Sequence, residues 1–192
     1  MRMEKNIKLS SKTTIKEYQI MLQEMDKGKI ADFIFLRLTE RYLLPVENVP
    51  IKYKNGFSIM ANSCLLIETY ESFRQGWDDT FAQDRIPFES FFNREKLFNV
   101  FQDDSKEFYM NIRCGILHQG ETKKGWKITR KETHPLFSPT EKKINANKFL
   151  KTLRVVLENY IALLKTSSWD DEIWIRCRDK MNFIINNSQK NL

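Results

Sequence analysis

Turn-forming residues and metal ligands are scarce in this chain of 192 residues, which contains six Gly, five Pro, two His and three Cys. So few Gly and Pro argue against the many tight turns of an all-β fold and favour helices. Cys64, Cys114 and Cys177 are far apart and form no Cys-x-x-Cys pair. A disulfide framework and a structural zinc site are therefore not expected, and the dispersed thiols indicate a reducing compartment.

Long apolar runs are also missing. No uninterrupted stretch approaches the roughly 20 apolar residues that a transmembrane helix needs. The basic N-terminal stretch, MRMEKNIKLSSKTT, lacks the apolar segment of a secretory signal. We therefore expect a cytoplasmic protein that does not associate with a membrane.

Apolar residues are nevertheless plentiful enough for a packed core. Hydrophobic residues make up 41% of the chain and aromatic residues 12%, with 14 Phe among them. A chain of this length can bury one core of its own. No repeat, low-complexity tract or linker divides it, so we expect a single domain over residues 1–192.

The spacing of the apolar residues predicts helix over most of the chain. The helical segments are 13–25, 30–44, 57–76, 84–101, 104–120, 145–164 and 168–184. Residues 125–130 (GWKITR) alternate instead, which is typical of a strand, and 142–145 is a weaker partner strand. The prediction is a mainly α, single-domain helical bundle with a small β-hairpin near residues 125–145.

The helix predicted over 104–120 carries Arg113 and, five positions later, His118. Asp104 and Glu107 have the spacing of a capping box at its start. The planar arginine fork suits phosphate oxygens, and imidazole can give or take a proton near neutral pH. The two residues are therefore the candidate catalytic pair for phosphodiester chemistry.

The spacing of this pair also raises a geometric difficulty. Five residues place two side chains about 140° apart around a regular α-helix. Arg113 and His118 therefore meet only if the helix end distorts or if a second copy of the helix completes the site. Chance produces such an Arg–His spacing readily, so the pair alone is weak support for a site.

Three further residues, Glu68, Tyr109 and Cys114, could support the pair. Glu68 is flanked by apolar residues on the helix predicted over 57–76, and a buried carboxylate needs a partner. Tyr109 precedes Arg113 by about one turn and could stack on a base, although packing is the commoner role of such an aromatic residue. His134, the other histidine, lies on the predicted hairpin loop and is expected to be a bystander.

The positive charge is concentrated directly after His118. Residues 123–154 contain ten Lys or Arg and two acidic residues, whereas the whole chain has a net charge of +7. Lys123, Lys124, Lys127 and Arg130 are therefore candidates for binding the phosphates of RNA. The alternative is that lysines on an exposed hairpin keep the surface soluble and discourage edge-to-edge strand pairing.

The sequence around Arg113 resembles the HEPN superfamily, in which an arginine is followed four to six residues later by a histidine. The resemblance spans Asp104 to Leu164, about a third of the chain, and rests on I-R-C-G-I-L-H-Q-G-E-T, then G-W-K-I and I-N-A-N-K-F-L, which are similar to a bacterial HEPN-like family. It implies a homodimeric ribonuclease of stress or phage defence that needs no metal and no cofactor. Arg113 would hold the scissile phosphate. His118 would act as acid or base while the RNA 2′-hydroxyl attacks, which leaves a cyclic phosphate.

One residue departs from the pattern of active members of that superfamily. The position after the arginine is usually polar in them, and here it is Cys114. The resemblance is therefore also compatible with a non-catalytic module of the same fold that binds RNA, a nucleotide or a protein. Cys114 separates these two expectations.

Overall fold

The computed structural model of the protein describes residues 7–81 and 83–190. The prediction of a mainly helical chain is confirmed. The basic stretch 1–6 and both ends of the predicted domain lie outside the described residues. The α-helices are α1 (Ile15–Gln23), α2 (Lys27–Leu38), α3 (Gly56–Gln75), α4 (Ile86–Arg94), α5 (Ser105–Phe108), α6 (Cys114–Gln119), α7 (Ala146–Thr166) and α8 (Glu172–Lys190).

Shorter turns of other helical types join these elements. A π-helical turn, Thr39–Leu43, extends α2, and a second one, Tyr109–Arg113, connects α5 with α6. Turns of 3₁₀ helix cover Ile51–Tyr53 and Lys96–Phe101. None of the helices in the described residues has the length and apolar character that crossing a membrane requires.

Helix α3 lies at the centre of the bundle, where it packs against α4, α7 and α8. Apolar residues around much of its circumference explain this position, because such a helix can bury several faces at once. Ile67 and Phe73 are fully buried. The carboxylate of Glu71 is also fully buried and pairs with Arg94. The carboxylates of α3 therefore find cations on the elements that pack around it.

The many phenylalanines form one aromatic cluster. Phe101 stacks on Phe137 with ring centroids 4.5 Å apart, and Phe108 stacks on Phe149 at 5.6 Å. Trp126 stacks on Phe137 at 5.2 Å and is buried. Aromatic pairs at such separations add to the free energy gained by burying their area. The cluster fastens the small sheet to α5 and α7.

The sheet has three strands where a two-stranded hairpin was expected. They are β1 (Lys127–Thr129), β2 (Phe137–Ser138) and β3 (Lys143–Asn145), in the order β1-β3-β2. The two predicted strands, β1 and β3, pair in parallel, and only β2 and β3 form an antiparallel pair. The predicted pairing was wrong because residues 130–142 between β1 and β3 are long enough for a crossover, which parallel strands need.

The expected capping box at Asp104 does not form either. Asp104 makes no side-chain cap, and Glu107 instead accepts a hydrogen bond from Nδ2 of Asn111 at 2.8 Å. Burial, together with the charges of Asp103 and Glu107, raises the pKa of Asp104. The backbone of Asp104, with a φ of −101° and a ψ of 8°, also lies outside the extended region that an N-cap residue usually adopts. Asn145 does cap its helix, since its Oδ1 accepts from the backbone N–H of Lys148 at 3.2 Å.

A complete capping box is present at the start of α1. The Glu17 carboxylate accepts hydrogen bonds from the backbone N–H and the hydroxyl of Thr14, at 2.7 and 2.8 Å. These bonds hold the pKa of Glu17 below its ordinary value of 4.5. A depressed folded-state pKa means that the charged carboxylate stabilises the fold above the ordinary value. That contribution is lost as the pH falls through the folded-state pKa.

We therefore predict that Glu17→Ala lowers the melting temperature at pH 7 and lowers it by less at pH 3. Thermal melts followed by circular dichroism at the two pH values measure this difference. Glu158→Ala is a matched control, because Glu158 is exposed and makes no side-chain hydrogen bond within the described residues. An equal loss at both pH values for Glu17→Ala would contradict the prediction.

Candidate active site around Arg113 and His118

The helix that carries the site is irregular at the residues just before Arg113. The backbone N–H of Cys114 donates to the carbonyl of Tyr109, five residues back, in place of the four of an α-helix. The π-turn ends at Arg113, and α6 continues to Gly120, which ends it in the left-handed conformation with a φ of 68°. Single π-turns inside α-helices are frequent at functional sites.

Arg113 and His118 come together within one chain. Nη1 of Arg113 lies 3.2 Å from Nε2 of His118. The helix distorts immediately before Arg113, and the long arginine side chain spans the remaining angle. A second copy of the helix is therefore not needed to form the pair.

The contact between Arg113 and His118 can be a hydrogen bond in one direction only. Arginine has five N–H donors and no acceptor, so Nε2 of His118 accepts in such a bond. This arrangement requires the tautomer that carries its proton on Nδ1. His118 is solvent-exposed, so a ligand can reach the ring without moving the backbone.

Glu68 holds the other side of the guanidinium. Its Oε1 accepts from Nε of Arg113 at 2.8 Å, and the side chains of Glu68 and Arg113 are 12% and 22% exposed. This is the partner that a carboxylate on the buried helix α3 requires. The guanidinium therefore bridges α3 and α6 and lies between a carboxylate and an imidazole.

Tyr109 and Cys114 complete the surroundings of Arg113. The Tyr109 ring centroid lies 5.7 Å from Cζ of Arg113. Burial, then hydrogen bonding with Asp84 and Cys114, raises the pKa of Tyr109, so its phenol stays protonated near neutral pH. Tyr109 is buried, which leaves its ring little access to an RNA base, whereas Cys114 is half-buried beside the pair.

The guanidinium itself stays charged. Burial alone would lower the pKa of Arg113, but the hydrogen bond and the charge of Glu68, with Tyr109 and Cys114, together raise it. The site thus presents a permanent cation beside an imidazole. Such a pair can neutralise an anion and accept a proton next to it.

The candidate substrate-binding residues separate into two places. Lys123 and Lys124 lie in the turn after α6, where the backbone N–H of Lys123 donates to the carbonyl of Asn111 at 3.0 Å. Lys127 begins β1 and is exposed. Arg130 lies near the start of α3, about 18 Å along the helix from Glu68 at 1.5 Å per residue. The structure therefore does not bring Arg130 to the Arg113–His118 pair.

Gly115 is a part of the site that was not anticipated. A Cβ added there would meet the carbonyl oxygen of Glu121 at 2.5 Å, so the turn after α6 folds back against the helix at this point. An isolated glycine inside a helical pattern is the sequence signal for such a close approach. The turn brings Lys123 back beside the helix that carries Arg113.

Comparison with protein-family models, with curated proteins and with solved structures finds no match to this chain. Within the described residues, no group of three or more His, Cys, Asp or Glu side chains is placed to hold a metal ion. The chemistry of the Arg113–His118 site therefore follows from the geometry of its side chains and from the resemblance in sequence.

The ion pair between Glu68 and Arg113 is predicted to stabilise the fold. In a double-mutant cycle, Glu68→Ala and Arg113→Ala should show a coupling energy of about 1 kcal/mol, as expected for half-buried partners in contact. His118→Ala should change the free energy of unfolding by less than about 0.5 kcal/mol because the ring is exposed. Urea unfolding measures all four variants, and a coupling energy of zero would contradict the observed contact.

Gly115→Ala is predicted to destabilise the protein by about 1–3 kcal/mol, because the new methyl group overlaps a backbone oxygen. This loss exceeds the gain in helix propensity that alanine brings. Gly28→Ala is the matched control in α2, since its Cβ would meet only Oδ1 of Asp26, at 3.5 Å. Equal unfolding midpoints for the two variants would show that the turn does not press on Gly115.

Proposed function

We propose that the protein is a HEPN-like ribonuclease that cleaves RNA without a metal ion, with Arg113 and His118 as its catalytic residues. The observation that carries the proposal is the 3.2 Å contact between the Arg113 guanidinium and Nε2 of an exposed His118. A fixed cation beside a proton acceptor is what cleavage by the RNA 2′-hydroxyl requires. The motif resemblance around Arg113 supports the same chemistry.

We infer an order of events from the resting contacts. An incoming phosphodiester competes with Glu68 and His118 for the donors of Arg113. When Nη1 turns to a phosphate oxygen, Nε2 of His118 is released and can take the proton of the 2′-hydroxyl. The 2′-oxygen then bonds to phosphorus, and the bond from phosphorus to the 5′-oxygen breaks. The 5′-oxygen leaves with a proton from solvent, so the products are a 2′,3′-cyclic phosphate and a 5′-hydroxyl.

Cys114 is compatible with this route because none of these steps passes through it. Its thiol neighbours Arg113 and Tyr109 and is half-buried, so it contributes to the wall of the site. We propose a packing role for it, in the place where active members of the superfamily carry a polar residue.

We predict cleavage of RNA in the presence of excess EDTA and a loss of about 100-fold or more in rate for both Arg113→Ala and His118→Ala. Arg113→Lys should also lose activity, since an ammonium group lacks the planar fork. Gel assays of labelled RNA, with mass spectrometry to detect the cyclic phosphate, measure both effects.

Two control variants should keep their activity in that assay. Arg85→Ala removes an exposed arginine that also pairs with a carboxylate, that of Glu89. His134→Ala removes the other histidine. Activity that survives the loss of both Arg113 and His118, or no cleavage of any RNA tested, would overturn the proposal.

A non-catalytic binding module is the second candidate function. The observation that favours it is that Arg113 already contacts both Glu68 and His118 in the resting protein. Such contacts can serve to stabilise the fold alone. RNA binding that weakens steeply with salt while no cleavage occurs would support this function, because phosphate contacts release counterions.

The remaining expectations come from the resemblance. We propose a homodimer, a cytoplasmic location and a role in stress or phage defence. Light scattering on the purified full chain tests the first of these. Since one chain already forms the Arg113–His118 pair, a monomer that cleaves RNA would remove the dimer from the proposal without removing the chemistry.

A further inference from the structure

The 3₁₀ turn Ile51–Tyr53 exposes large side chains to solvent. Ile51 is 63% exposed and Tyr53 64% exposed. Nζ of Lys52 lies 5.1 Å from the centroid of the Tyr53 ring, and Lys54 follows as another exposed cation. Aromatic rings interleaved with cations are the usual platform for single-stranded nucleic acid.

Arg130 holds this turn against the sheet and α7. Its Nη2 donates to the carbonyl of Val49 at 2.7 Å, and its Nε donates to Oδ1 of Asn147 at 2.9 Å. At the other end of the turn, a Cβ on Gly56 would lie 3.0 Å from Ile128. The exposed ring of Tyr53 therefore projects from a fixed support.

A cleft of about 420 Å³ opens beside the turn. This volume falls within the range of sites that hold small molecules. Val46 and Leu150 are its buried apolar parts, and Lys151 is exposed along it. The cleft is lined by Val46, Glu47, Asn48, Val49, Arg130, Asn147, Leu150, Lys151 and Arg154.

The charge of this surface is strongly positive. Its one carboxylate, Glu47, is neutralised by Arg154, with Nη2 to Oε2 at 2.6 Å. The cations of the turn and the cleft are Lys52, Lys54, Arg130, Lys151 and Arg154. An anionic polymer with flat, stackable groups is the partner that fits both the exposed Tyr53 ring and the positive charge.

We propose that the turn Ile51–Tyr53 and the adjoining cleft bind single-stranded RNA outside the candidate active site. An unpaired base stacks on Tyr53, Lys52 and Lys54 neutralise the neighbouring phosphates, and the next nucleotide enters the cleft. The identity of the polymer as RNA rests on the proposed function. Paired bases cannot stack on the ring, so the surface selects single strands.

This surface lies near the start of α3, about 18 Å along the helix from Glu68. That axial distance is one that a strand of several nucleotides can span. The cleft favours RNA over an anionic membrane as the partner. Insertion of Ile51 and Tyr53 among lipid headgroups does not require a nucleotide-sized cavity lined by guanidinium and amide groups.

The test measures binding of a fluorescent 2′-O-methyl oligouridine of about 12 nucleotides by anisotropy in EDTA. This probe has no free 2′-hydroxyl, so it cannot be cleaved by the proposed route. Tyr53→Ala should weaken binding by about 5- to 100-fold, the loss typical of a stacked aromatic residue. Tyr53→Phe should bind within about twofold of the wild type, since the stacking face remains. Lys52→Ala should bind more weakly and show a smaller salt dependence.

Phe81→Ala is the matched control. Phe81 is 96% exposed, but its sequence neighbours Asp78, Asp79 and Asp84 are acidic, so its loss should leave binding unchanged. Wild-type affinity in both Tyr53→Ala and Lys52→Ala would overturn the inference. Equal affinity for a duplex of the same length would overturn it too. So would a loss of binding to phosphatidylserine vesicles in Tyr53→Ala with RNA binding intact.

Failure of the inference is distinguishable from failure of the proposed function. Binding that depends on Tyr53 without any cleavage of RNA supports this surface and removes the ribonuclease. Cleavage by a protein whose RNA binding does not respond to Tyr53→Ala supports the ribonuclease and removes this surface.

Discussion

The hydrogen bond from Arg113 to Glu68 is the constraint on which the site depends. Helix α3 is buried on much of its surface, so a carboxylate on it must find a cation. Glu68 finds Arg113, and Glu71, about one turn later, finds Arg94. The first of these pairs fixes the guanidinium at the surface of the bundle, within reach of His118. The hydrogen bond that gives the Glu68 carboxylate its partner therefore also orients the guanidinium of Arg113.

The candidate site combines a packed pair, Glu68 and Arg113, with an exposed residue, His118. Glu68 and Arg113 are held by the packing of α3 against the helix that carries Arg113, whereas His118 is exposed in the last turn of α6. In the proposed reaction, Nη1 of Arg113 turns from His118 to a phosphate oxygen, while Nε can keep its hydrogen bond to Glu68. In the same proposal, the exposed cations near Tyr53 add phosphate contacts at a distance from Arg113.

The helices could be predicted from sequence because their apolar residues keep one period for several turns. This holds for α3 and α7, whose predicted bounds match the structure within about two residues, the usual uncertainty of helix ends. The π-turn at Tyr109–Arg113 could not be predicted, since Phe108, Ile112 and Ile116 keep a spacing of four residues that also fits a regular α-helix. The strand pairing was missed for another reason, because the alternation of side chains in β1 carries no information on the direction of its partner.

Part of the candidate site could be predicted from the sequence, and part could not. Arg113, His118, Glu68 and Tyr109 do lie together, because the motif and the apolar surroundings of Glu68 both reflect real packing. Arg130 was grouped with the lysines through its position in sequence, but it directly follows β1 beside the start of α3, where it lines the cleft near Val49. Tyr53 lies between the predicted helices 30–44 and 57–76, and the exposure of its ring leaves no periodic signal in the sequence.

Long-range ¹H–¹⁵N spectra of the histidine rings test most directly whether Arg113 and His118 form one phosphate-responsive site. In the free protein, Nε2 of His118 should appear unprotonated and hydrogen-bonded, with the proton on Nδ1. A 2′-O-methyl dinucleotide should shift the His118 signals and leave those of His134 in place. The claim of one phosphate-responsive site would be contradicted by a proton on Nε2 in the free protein. It would also be contradicted if the dinucleotide left the His118 signals unshifted.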